Sequence, residues 1–97
     1  MKQFNNKIAN SADHPFVDFV DGPTGRRAHI KGTGADVWEV VATILDNGGD
    51  QVAAADYLSM DLLLVEAANN YYLSYPDEIS ERIEQNKLWE AKRGTKH

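Results

Sequence analysis

His14, His29 and His97 are the side chains best suited to acid–base or metal chemistry in this 97-residue chain, because it contains no cysteine. That absence removes disulfide frameworks, thiolate zinc sites, iron–sulfur clusters and cysteine nucleophiles. A hydrolase needs a nucleophile or metal, a base and an orienting group together. His97 occupies the last position, and His14 follows Asp13 in an aperiodic stretch. A metal site would have to be built from His14, Asp18 and His29, and surface or hairpin packing accounts for these residues more simply. Asp46, Asp50, Asp56 and Asp61 fall at helix ends and junctions, where capping explains them. The glycines between Gly22 and Gly34 form neither G-x-x-x-x-G-K-[ST] nor G-x-G-x-x-G, so turn-making is their better explanation. The sequence therefore predicts no enzyme, no cofactor and no metal.

Charge is distributed unevenly. Ten Lys and Arg against 15 Asp and Glu give a formal charge of −5. No Lys or Arg occurs between Gly32 and Glu81, a block that holds ten acidic residues, so every basic residue lies in the flanks. The bases cluster at Arg26, Arg27 and Lys31, and again at Lys87, Lys92, Arg93 and Lys96. Such patterning suits either a solvated surface or partner steering.

The elements that position these groups follow from turn chemistry and period. Residues 1–14 are polar and aperiodic and read as a flexible arm, with Phe4 and Ile8 resting on the domain. Phe16 to Val20 alternates imperfectly, D-G-P-T-G at 21–25 turns, and residues 26–31 return, which predicts a β-hairpin. An isolated hairpin is marginal in water and must pack on helices or pair with a second chain. Thr33 or Asp36 caps a first helix with Val37, Val40, Val41, Ile44 and Leu45 on one stripe, stopped by Gly48 and Gly49. Asp50 caps a short second helix over 51–58, with small Ala53, Ala54 and Ala55. Ser59 is the expected cap of a third helix whose Leu64, Val65, Ala68, Tyr71, Tyr72 and Tyr75 should be core. Pro76 starts a fourth, anchored by Ile79 and Ile83. At about 100° per residue, Leu88 lies opposite Ile79 and Trp89 lies off the Ile79/Ile83 stripe, so something else must cover both.

The predicted fold is mainly α: an N-terminal hairpin on a three-helix, helix-turn-helix-like (winged or homeodomain-like) core over 15–75, then a C-terminal helix and basic tail over 76–97. In a helix-turn-helix the third helix would enter the major groove, yet it offers Asp61, Glu66, Asn69 and Asn70 without a cation. Asn69 and Asn70 can read adenine, and phosphate contacts would fall to Arg26, Arg27 and Lys31. No run approaches about 18 apolar residues, and the opening MKQFNNKIANSADHP lacks a signal peptide's apolar run, so a cytoplasmic location is expected.

IKGTGADVWEV at 30–40, AADYL at 54–58 and VEAANNYY at 65–72 resemble the domain of unknown function 433 family of small bacterial and archaeal proteins. The resemblance spans about residues 14–75. Gly34 stands where that family usually has arginine, so no role of that arginine transfers. The resemblance implies a hairpin on a three-helix core. It also implies an antitoxin that dimerises, binds its operator and lays its C-terminal segment along a PIN-like ribonuclease toxin. On that reading Lys87, Leu88, Trp89, Lys92 and Arg93 meet the toxin, with Leu88 and Trp89 as anchors. Two alternatives stay open: a helix-turn-helix regulator without a toxin, and an acidic protein-interaction adaptor.

Overall fold

The computed structural model describes residues 13–23 and 25–94, with side chains through Lys92. Phe4, Ile8, Lys96 and His97 lie outside the described residues. The order is β1 (Val17–Gly22), β2 (Gly25–Ile30), α1 (Val37–Asp46), α2 (Gln51–Leu58), α3 (Leu62–Ser74) and α4 (Pro76–Gly94). The mainly helical fold with an N-terminal hairpin is as the sequence predicts.

β1 and β2 pair antiparallel, with Val17 opposite Ile30 and Gly22 opposite Gly25. Alternation sends Val17, Ala28 and Ile30 inward, where the helices cover them. This packing gives the hairpin the persistence that two strands alone would lack. From α1, Val37, Val40, Val41 and Ile44 join them, with Ala54 and Ala55 of α2, Val65, Ala68 and Tyr71 of α3, and Ile79 of α4. Tyr71 is the bulkiest buried side chain, and its hydroxyl donates to Glu78 Oε1 at 2.8 Å. Burial first, and the Glu78 carboxylate second, push that phenol far above its ordinary range.

The helix ends follow local backbone and capping chemistry. Asp36 is the N-cap of α1, while Thr33 instead closes the preceding turn, donating to Ile30 O and accepting from Ala35 N–H. Gly48 and Gly49 end α1 with positive φ, Gly49 N–H bonding Ile44 O and Gly48 N–H bonding Leu45 O. Asp50 caps α2 by accepting from Ala53 N–H at 3.0 Å.

Several expectations are corrected. Ser59 does not start α3: at φ 53° and ψ 48° it ends α2 in the left-handed region, and the N-cap of α3 is Asp61. There Met60 N–H bonds Ala55 O, so Ser59 holds the place glycine usually takes after a helix. Leu45, assigned to the apolar stripe of α1, is 52 % exposed, because the stripe turns away from the core as the helix ends. Of the α3 residues expected in the core, Leu64, Tyr72 and Tyr75 lie at its margin, half-buried. His14, read as the end of a flexible arm, is buried, its ring edge-on to Tyr71 at 5.1 Å and Tyr75 at 5.9 Å.

Candidate functional site

α4 changes character along its length. Ile79 is buried and Arg82, Ile83 and Asn86 are half-buried, whereas Lys87, Leu88, Trp89, Glu90, Ala91 and Lys92 are all exposed. Leu88 retains 66 % and Trp89 58 % of its accessible surface. Nineteen residues make α4 about 28 Å long, more than the three-helix core can underpin. Arg93 belongs to its last turn.

The root of this exposed end borders a cleft of about 580 Å³ between β2, the start of α1 and α4. Its α4 wall is Arg82, Gln85, Asn86 and Trp89, a stripe at i, i+3, i+4 and i+7. Trp89 is therefore displaced from the Ile79/Ile83 stripe because it belongs to a second, largely polar one. Sequence reasoning missed this wall because an apolar-period search ignores arginine and amides, although the spacing was legible. The opposite wall carries Trp38 and Glu39 of α1.

Asp36 organises the floor. Its Oδ2 accepts from Arg27 Nε at 2.7 Å and its Oδ1 lies 2.9 Å from His29 Nδ1. His29 Nε2 lies 2.7 Å from Thr33 O, a carbonyl that can only accept. Both ring nitrogens therefore face acceptor oxygens, and the imidazole fits best as a cation donating twice. The bond to Asp36 raises the His29 pKa, and burial opposes it only in part. For Asp36, desolvation pushes the pKa upward, but the bonds from His29 and Arg27 outweigh it and the pKa is lowered. Glu39 Oε1 accepts Asp36 N–H at 2.8 Å and so ties the first turn of α1 to the same network. With both nitrogens engaged, His29 holds β2 against α1 and is not poised as a general base.

The basic hairpin residues have separate fates. Arg26 lies over the Phe19 ring at 4.2 Å, and its carbonyl accepts from Arg82 at 3.2 Å. Arg27 joins the Asp36 network, and Lys31 is exposed beyond β2. Asn69 is half-buried, and Asn70 is exposed beside a smaller cavity of about 210 Å³ lined by His14, Phe16 and Leu63. The structure thus brings Arg27 and Trp89 to one cleft and leaves the α3 asparagines at another. His14 packs edge-on against tyrosines while His29 serves Asp36, and no group of three metal-ligating side chains gathers among the described residues. Among these residues no helix is long and apolar enough to cross a membrane. No family model matches the chain, and neither a curated protein nor a solved structure matches it significantly.

Proposed function

We propose that this chain is a non-catalytic, homodimeric, cytoplasmic partner-binding protein, the antitoxin of a type II toxin–antitoxin pair. It neutralises a PIN-like ribonuclease by laying the far end of α4 along it. The observation that carries this reading is the run of exposed residues after Asn86, with Leu88 and Trp89 each more than half exposed on a helix whose first half is anchored in the core. A large aromatic and a leucine held in water on a rigid helix suit the anchors of a helix-in-groove interface. Lys87, Lys92 and Arg93 supply positive charge toward a nuclease that holds its metal with carboxylates. The resemblance to the 433 family supports the same role.

Operator binding is the second reading, favoured by the order of α2, a tight turn and α3, and by exposed Arg26 and Lys31. The acidic α3 surface makes the hairpin its source of phosphate contacts. The test is co-expression with the product of the adjacent reading frame, followed by size-exclusion chromatography with light scattering. The antitoxin reading predicts co-elution and suppression of a nuclease. A chain that elutes only with itself refutes that reading, and salt-dependent DNA binding lost on neutralising Arg26 and Lys31 then establishes the second.

A further inference from the structure

The smaller cavity, of about 210 Å³, lies between α3 and the point where the chain enters β1. Phe16, Leu63 and Ala67 give it an apolar side, and Asp13, Glu66 and Asn70 a polar rim. Phe16 keeps 37 % and Leu63 57 % of its accessible surface. An apolar cavity of about 150 Å³ holds a benzene ring, so this one has room for a large apolar side chain. The chain enters the domain at its lip. His14 is buried edge-on against Tyr71 and Tyr75, and its carbonyl accepts Val17 N–H at 3.0 Å, which fixes Asp13 in the cavity lining. Residues 1–12 start from that point, and they bring Phe4 and Ile8. At about 3.4 Å per residue, Ile8 is leashed within roughly 17 Å of Asp13 and Phe4 within roughly 31 Å. Residues 1–12 also carry Lys2 and Lys7 and no carboxylate, whereas α3 carries Glu66 and no basic residue. Neither Asp13 nor Glu66 takes part in an ion pair among the described residues.

We propose that residues 1–12 dock on α3 of their own chain, with Phe4 and Ile8 over Phe16, Leu63 and Ala67 and with Lys7 beside Glu66. The short leash holds the arm at high effective concentration over this face, so modest apolar burial suffices to seat it. Opposite charge on the arm and on the cavity rim sets its register. Asn70 lies in the same lining, so the docked arm stands over one of the two asparagines with which α3 would read a base edge, and operator binding requires its release. The exposed end of α4 takes no part in this contact, and the proposal does not depend on what α4 binds.

The chain has no cysteine, so an introduced pair forms a disulfide without competition. In the full chain, Ala9→Cys is combined either with Asn70→Cys, beside the cavity, or with Val52→Cys, exposed on α2, and bridging under oxidised glutathione is timed. The Asn70 pair should close about tenfold faster than the Val52 pair, within one chain. Because Asn70 is also near the tether point, the deciding comparison adds Phe4→Ser and Ile8→Ser, which should remove most of that advantage; Glu66→Lys should reduce it about threefold. Equal rates for the two pairs, an advantage that survives Phe4→Ser/Ile8→Ser, or bridges that join two chains overturn the proposal, the last by giving this face to a second copy. A measurement without cysteines compares amide NMR spectra of the unaltered chain and its Phe4→Ser/Ile8→Ser variant. Beyond the arm itself, shifts should concentrate at Leu63, Glu66, Ala67 and Asn70 and spare Trp89, and unmoved α3 resonances would overturn the docking.

Discussion

The two halves of α4 obey different rules. In the first, Ile79 fills the core and Glu78 accepts from the Tyr71 hydroxyl, so sequence and packing agree. In the second, Leu88 and Trp89 are large and apolar, yet each is more than half exposed. One helix thus serves folding at one end and, on our reading, recognition at the other. A residue's hydrophobicity does not say which; its angular position relative to Ile79 does.

This comparison can be broken by substitution. Ile79→Ala should cost about 3 kcal/mol in urea denaturation, because it opens a cavity under α4. Leu88→Ala and Trp89→Ala should each stay within about 0.5 kcal/mol of the parent. A Trp89→Ala loss approaching that of Ile79→Ala would erase the distinction between the halves.

The next largest effect tests what holds the cleft floor. Asp36→Ala should cost about 2 kcal/mol, since it leaves the Arg27 and His29 cations facing each other without their carboxylate. The network also has a pH signature. The His29 pKa is raised above its ordinary 6.5, so its contribution is whole below that pH and is lost as pH climbs through the folded-state value. The Asp36 pKa is lowered below its ordinary 3.8, so its contribution is whole above that pH and is lost as pH falls through the folded-state value. Thermal melts should therefore show the network's greatest contribution between pH 3.8 and 6.5, and Asp36→Ala should flatten both shoulders.

A smaller effect is expected at Gly22, where an added Cβ would lie 2.6 Å from the Arg27 terminal nitrogen. The guanidinium can swing aside, so Gly22→Ala should cost about 1 kcal/mol and partly uncouple Arg27 from Asp36, measured as a shallower pH dependence of stability. Smallest is Ser59→Gly, which relieves a left-handed serine and should raise stability by about 0.5 kcal/mol in the same denaturation assay.

Much of the fold was legible because local rules decide it. Gly48 and Gly49 stop α1, Asp50 starts α2 and Pro76 starts α4, each through backbone chemistry visible in one or two residues. The misreading at Ser59 has a physical cause: serine is a common N-cap, and its left-handed conformation depends on how α2 and α3 meet. The burial of His14 was not legible, because its place against Tyr71 and Tyr75 is a tertiary contact with no local period. That Leu88 and Trp89 leave the Ile79/Ile83 stripe was legible from helical angles alone. The cleft was not, since Asp36 reads as an ordinary cap until the hairpin brings Arg27 and His29 onto it.

The most direct test of the account is chromatographic. The Leu88→Ala/Trp89→Ala double variant, co-expressed with the neighbouring gene product, is compared with the parent by size-exclusion chromatography with light scattering. The parent should co-elute with its partner, while the double variant, equally stable, should elute without it. A folded double variant that still carries the partner, or a parent that never does, would contradict the assignment of α4.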